Sequence, residues 1–202
     1  MRFLGHPLFI AALMALSLGA CAKTGASSSD AGEMAMGNPA AKVTVVEYAS
    51  ASCPHCAEFN NEVFPAFKAK YIDTNKIHYV FREFLTPPAQ VAASGFLIAR
   101  CAGKDKYFSV LDAIYRGQQA MYASGDYRGS LLRIAESAGM SEQQFNACTT
   151  DDAALKALNE RVQKAISDGI DSTPTFVING KKLDSAATLA NLDAAIAAAP
   201  AH

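Results

Sequence analysis

The sequence predicts an α/β domain: a small mixed β-sheet carrying helices on its faces, with a block of helices inserted before its last hairpin. Three observations predict it. Two β-branched and aromatic runs, 42–49 and 77–84, flank a stretch whose apolar residues recur every four positions. A long segment of helical pattern follows Pro87-Pro88, and Asn179-Gly180 then separates two short extended runs ahead of an Ala-rich end.

Lys42 to Ala49 (KVTVVEYA) is bounded by Asn38-Pro39 and Ser50 and reads as a largely buried central strand that delivers the chain to Cys53. From Pro54 to about Tyr71, the spacing of Phe59, Val63, Phe67 and Tyr71 predicts an amphipathic helix. Pro65 falls inside it and is expected to kink or restart it. Ile77 to Phe84 (IHYVFREF) is the second strand. Helices are expected near 89–101, 105–116, 128–138, 141–148 and 151–168, with Ser141 and Gln144 forming a capping box and Gly139 and Gly169 acting as stops. Thr175 to Ile178 and Lys181 to Asp184 form the hairpin, and Ala186 to Ala199 closes the chain as a helix. The domain organisation that follows is a sheet domain of 38–86 and 167–202 with a helical insertion at 87–166.

At 202 residues the chain has room for one core with an elaboration. Half of it is apolar and Gly with Pro make up only 21 residues, which excludes collagen-like, mucin-like and wholly disordered readings. The 18 Lys and Arg against 19 Asp and Glu give a net charge of −1, with no footprint for a phosphate backbone, so no nucleic-acid partner is expected.

The first twenty residues read as a targeting segment. Arg2 supplies the positive start, and Leu8 to Leu18 is an apolar run of signal-peptide length, too short for a comfortable membrane span. It ends in Leu18-Gly19-Ala20-Cys21, which looks like a bacterial lipobox and makes Cys21 the expected lipidated first residue of the mature chain; an ordinary cleaved signal is the alternative. Taking Cys21 out of the thiol count leaves four, an even number for a compartment where disulfides persist. The mature chain carries a net charge of −2, so no polybasic second anchor supports the lipid. Residues 21–37, small, polar and without period, read as a flexible tether.

The chemistry is expected at Cys53-Pro54-His55-Cys56. A Cys-x-x-Cys that follows a strand and opens a helix sets its first sulfur among unpaired N–H groups, which favour a thiolate. Pro54 suits the first helical position. His55 is expected to lower the thiol further by hydrogen bonding or charge. Cys53 is then the acidic thiol and Cys56, one turn on, the resolving one. A stable reduced form makes the disulfide the stronger oxidant. A zinc knuckle would need a second close Cys or His pair, a c-type haem site would need His where Ala57 stands, and a structural disulfide over so tight a ring would stabilise little.

With this motif, the strand before it and the helical insert ahead of Thr173-Pro174, the chain resembles the DsbA-like thiol oxidases of the thioredoxin superfamily over about residues 38–199. The resemblance implies a thioredoxin fold with an inserted helical domain, and a cis Thr173–Pro174 bond facing Cys53 across a substrate groove. Thr173 would offer backbone groups to an extended client, although the oxidase branch often carries Val there and Thr is more familiar from isomerase-like relatives. Glu47, six residues before Cys53, sits at the spacing of the family's buried acid and would exchange a proton with Cys56. Cys101 and Cys148 are read as a second, structural disulfide, stabilising by about 4 kcal/mol in the chain-entropy model; two buried free thiols are the alternative. His78 and His202 read as inert, and Arg82-Glu83 as a solvated or sheet-end ion pair.

The activity implied is donation of the Cys53–Cys56 disulfide to reduced or unfolded exported proteins by a lipid-anchored, periplasm-facing monomer. Reoxidation would come from a quinone-linked membrane protein resembling DsbB, and no metal or organic cofactor is implied. A disulfide isomerase or reductase is the first alternative, set behind because residues 22–40 are short for a dimerisation domain. A client-binding, chaperone-like module is the second.

Overall fold

A computed structural model of the chain describes residues 1–2 and 32–200. The expected signal peptide, the Cys21 lipidation and the tether up to residue 31 fall outside the described residues. Among those described, no helix is long and apolar enough to cross a membrane.

Among the described residues a five-stranded mixed sheet runs in the order β1 (Met34–Gly37), β3 (His78–Glu83), β2 (Thr44–Ala49), β4 (Thr175–Ile178) and β5 (Lys181–Lys182). Its centre is β2 (Thr44–Ala49), parallel to β3 (His78–Glu83) on one side and antiparallel to β4 (Thr175–Ile178) on the other. β-Branched and aromatic side chains dominate β2 and β3, the composition of a strand buried on two faces. β5 (Lys181–Lys182) closes the hairpin with β4 through Asn179 (φ 43°) and Gly180 (φ 82°), both in the left-handed region that such a two-residue turn requires.

The opposite edge corrects the tether. Residues 34–37, assigned to it from their small size and lack of period, form strand β1 (Met34–Gly37), antiparallel to β3 with Met34 opposite Phe81. Four residues carry too little pattern to read, and this strand is defined by the partner it borrows and by the burial of Met34.

The run after Cys53 is helical throughout but not uniformly α: α1 (Pro54–Glu58), a π-helical turn at Phe59–Val63, α2 (Phe64–Phe67) and a second π-helical turn at Lys68–Ile72. The first widened turn ends next to Pro65, which has no N–H for the α-ladder and would crowd the carbonyl four residues back. The run therefore bulges and restarts. Phe59, Phe67 and Tyr71 face the core from it.

The insert supplies α3 (Ala89–Cys101), α4 (Lys104–Ser124), α5 (Tyr127–Ser137), α6 (Glu142–Thr149) and α7 (Asp152–Ser167). The expected capping box at Ser141 and Gln144 is formed. α4 outruns its expected end at 116 because its buried stripe, Tyr107, Leu111, Ile114, continues past Gly117 through Gln118 and Met121, and stops at Gly125. α8 (Leu189–Ala197) ends the chain, three residues shorter at its start than its Ala-rich composition suggests and capped by Thr188. Phe96, Tyr107, Ile114 and Leu158 of the insert share one core with Val45, Tyr79 and Phe176 of the sheet. Cys101, at the end of α3, is bonded to Cys148 on α6.

The Arg82-Glu83 reading is corrected. Adjacent strand residues point to opposite faces, so the two do not pair with each other. Arg82 reaches Tyr48 and Glu33, whereas Glu83 turns inward between Arg100, Arg161 and Tyr107.

Candidate active site

β2 ends one turn of loop before the helical run, and that loop carries the reactive pair. Cys53 is the N-cap of α1, in extended conformation, with Pro54 at the first turn. Both Cys53 and Cys56 are free thiols, with Cys56 only 1 % exposed.

The electrostatics divide the pair. Cys53 is lowered from about 9 to about 5: a hydrogen bond from Cys56 contributes most, burial opposes it, and the Thr173 hydroxyl and the N–H groups of Cys56 and His55 add to the lowering. Burial pushes the Cys56 thiol far up, and donating its hydrogen to Cys53 holds the proton there. One sulfur is thus anionic at neutral pH because the other keeps its proton.

The His55 expectation needs correcting in its means. Its imidazole is turned to solvent and meets Glu58 at 3.3 Å, so what His55 lends to Cys53 is its backbone N–H. At a helix start the N–H groups lie nearest the cap side chain, whereas side chains project outward.

The Thr173–Pro174 bond is cis, and the Thr173 carbonyl lies 3.4 Å from Cys53 Sγ, within reach of its thiol when protonated. The two loops that sequence separates by 120 residues therefore meet at the reactive sulfur. The Thr173 hydroxyl, buried, has no hydrogen-bond partner of normal geometry among the described residues.

Glu47 lies on β2 beneath this pair, 3 % exposed, and accepts a hydrogen bond of 2.5 Å from the Tyr79 hydroxyl. Burial raises its carboxyl to about 7; the Tyr79 bond works against that rise and the Cys53 anion adds to it. A carboxyl at that value can hold or release a proton at neutral pH.

Several residues that sequence reading did not select hold the loop. Gln118 Nε2 donates to the carbonyls of Ala51 (3.1 Å) and Cys53 (3.3 Å), and the Tyr122 hydroxyl donates to that of Ser52 (2.6 Å), all from α4. Ser52 in turn donates to the Thr86 carbonyl at 2.8 Å. The signal for Gln118 was available: it is the single amide on a buried helical stripe of Tyr107, Leu111, Ile114 and Met121, and a polar group there must have a partner. Gln118→Leu is expected to lower stability by about 1–3 kcal/mol, since the Ala51 carbonyl is left without its donor. Urea denaturation measures this, and wild-type stability would show that the loop holds itself.

A family model described as Thioredoxin matches residues 29–198. A chain of Rickettsia bellii (strain RML369-C) named as a protein-disulfide oxidoreductase is 36 % identical over 160 residues, covering 77 % of this chain and 60 % of that one. A relative of the same name from Rickettsia conorii (strain ATCC VR-613 / Malish 7) is 40 % identical over 155 residues, covering 75 % and 54 %. The chain therefore spans between 54 % and 60 % of the length of these two relatives. The crystal structure of Wolbachia pipientis alpha-DsbA1 superposes with a TM-score of 0.75 at 28 % identity, covering 82 % of this chain and 89 % of that one.

Proposed function

Because the chain belongs to the DsbA-like oxidoreductases of the thioredoxin superfamily, we propose that it works in the oxidising direction, donating the Cys53–Cys56 disulfide to reduced proteins exported from the cytoplasm. The observation that carries this reading is the acidic Cys53 thiol, held near 5 beside a Cys56 that keeps its proton. A stabilised thiolate favours the dithiol form, and a favoured dithiol makes the disulfide a ready electron acceptor.

In the forward direction a client thiolate attacks Cys53 Sγ. The Cys53–Cys56 bond breaks, and Cys56 leaves and takes a proton from Glu47. The client's second thiolate then attacks its own sulfur in the mixed disulfide and expels Cys53 as a thiolate. Two electrons pass from the client to the cysteine pair. Thr173 and Pro174 border the sulfur where an extended client segment would lie. Cys101–Cys148 serves as a structural clamp on the insert. Cys21 would anchor the chain by lipid to a membrane facing the periplasm, near a quinone-linked protein resembling DsbB that restores the disulfide.

The isomerase reading keeps one observation in its favour, Thr173 beside the reactive sulfur. Equilibration with glutathione separates the two. An oxidase is expected to show a reduction potential less negative than about −180 mV, to oxidise a reduced unfolded protein rapidly and to reshuffle a scrambled one slowly. A potential near about −270 mV, typical of a reducing thioredoxin, or faster reshuffling than oxidation, would reassign the direction.

A further inference from the structure

Opening the disulfide places the departing electron pair on Cys56 Sγ, a sulfur closed off from water. Burial, the Cys53 sulfur and Glu47 all oppose a negative charge there. A charge that develops in such a place needs a donor already aimed at it. The Ser50 N–H is one: it donates to Cys56 Sγ with nitrogen and sulfur 3.5 Å apart, and it works against the other influences. A sulfur held in a disulfide accepts weakly. As the bond breaks and the sulfur becomes an anion, the same contact strengthens.

An N–H keeps its aim only if its peptide is held, and Ser50, fully buried, is held by every other polar atom it has. Its carbonyl accepts from the Cys53 N–H at 3.0 Å, closing the turn that leads into the motif. Its Oγ accepts from the Thr86 N–H at 3.1 Å and from the Ser52 N–H at 3.4 Å. Ser52 gives its one hydroxyl hydrogen to the Thr86 carbonyl at 2.8 Å, so the Ser50 hydroxyl donates to Ser52 Oγ across 3.1 Å. The hydroxyls thus tie Ser50 both to its own turn and to the chain beyond β3.

Resting on the reading that a client thiolate attacks Cys53 and expels Cys56, we propose that Ser50 is a catalytic residue of the exchange. Its backbone N–H stabilises the departing Cys56 sulfur, and its side chain, braced by Ser52 and Thr86, keeps that N–H on target. In the step, the client sulfur bonds to Cys53 Sγ, the Cys53–Cys56 bond breaks, and its electron pair goes to Cys56 Sγ. The Ser50 N–H faces that charge until Glu47 delivers a proton, and Ser50 gives up no proton of its own. Closing passes through the same transition state, so the N–H helps Cys56 attack as much as it helps Cys56 leave. Both directions gain alike, and the reduction potential is unchanged.

Two variants of the full chain separate the donor from its brace. An ester in place of the Ala49–Ser50 amide, made with the hydroxy-acid analogue of serine at position 50, deletes the N–H alone. Ser50→Ala keeps the N–H and deletes the brace. Stopped-flow opening of the Cys53–Cys56 disulfide by reduced glutathione reads the step. Both variants are expected to open about tenfold more slowly. That is less than the loss of about a hundredfold or more from removing one oxyanion-hole donor, since charge on sulfur is diffuse and the contact is long. Alkylation of reduced Cys53, which puts no charge on Cys56, is expected to keep its rate, and the equilibrium with glutathione its position. Wild-type opening in either variant would overturn the role of Ser50. So would an alkylation rate or an equilibrium that shifted along with opening, the mark of a misplaced loop. Mass spectrometry of the trapped mixed disulfide tests the reading beneath. Glutathione on Cys53 together with wild-type opening removes Ser50 alone, whereas glutathione on Cys56 removes both.

Discussion

A Cys53→Ser chain is expected to transfer no disulfides, with oxidation of a reduced client falling to the uncatalysed rate, because the lost sulfur is both the atom attacked and the anion that leaves. The same anion writes a pH signature into stability. Unfolded, a thiol of this kind titrates near 9; folded, Cys53 titrates near 5. Between those values the folded dithiol form binds fewer protons than the unfolded chain, so its stability rises with pH. The gain is complete above about 9 and is lost as pH falls through about 5. Cys56, pushed up by burial, opposes it only above about 9, where the unfolded chain can ionise that thiol and the folded one resists. The disulfide form has neither thiol to titrate, and its tight ring restricts the unfolded chain little. The gap between the urea midpoints of the two forms is therefore expected to open steadily from pH 5 to 9 in favour of the reduced form. Equal gaps at the two ends of that window would remove the acidic sulfur and, with it, the oxidising direction.

What sequence could reveal is what neighbouring residues decide. The start of α1 at a Cys-Pro pair, the turn at Asn179-Gly180 and the capping box at Ser141 each follow from a few adjacent side chains, and each forms. What it could not reveal depends on distant partners. β1 has no pattern of its own and exists by pairing with β3. Glu47 could be singled out only by its spacing to Cys53, since its partner Tyr79 lies 32 residues away on the neighbouring strand. His55 meets its expected neighbour through other atoms: the motif fixes its place, but only the helix geometry shows that its N–H faces the sulfur while its ring faces water. Gln118 is the intermediate case, legible as an anomaly on an apolar stripe though its acceptors, 65 and 67 residues earlier, are not.

Glu83→Ala is expected to destabilise the whole chain by about 3–5 kcal/mol, the usual cost of removing one partner from a buried ion pair. Its side chain is 1 % exposed, and its two oxygens accept from Arg100 Nε at 2.5 Å and Arg161 Nε at 2.6 Å, with the Tyr107 hydroxyl adding a bond of 3.0 Å. These partners come from α3, α4 and α7, so one carboxylate on β3 fastens three helices of the insert to the sheet. Among the described residues, Arg161 Nη2 already lacks a partner and Arg100 hydrogen-bonds only the Gly32 carbonyl besides, so the charges left behind are poorly compensated. The exposed Lys156–Glu160 pair, 3.8 Å apart and open to water on both sides, provides the contrast: screened and loosely held, it is expected to change stability by an amount within the error of the measurement when either partner is replaced. Urea denaturation of the two single variants tests the difference. If the loss comes from stranded charge, Glu83→Leu combined with Arg161→Leu will be more stable than the sum of the single losses allows, because the second change removes a charge that the first one stranded. Strict additivity would mean that Glu83 acts through packing alone and that the arginines find water as readily as they find the carboxylate.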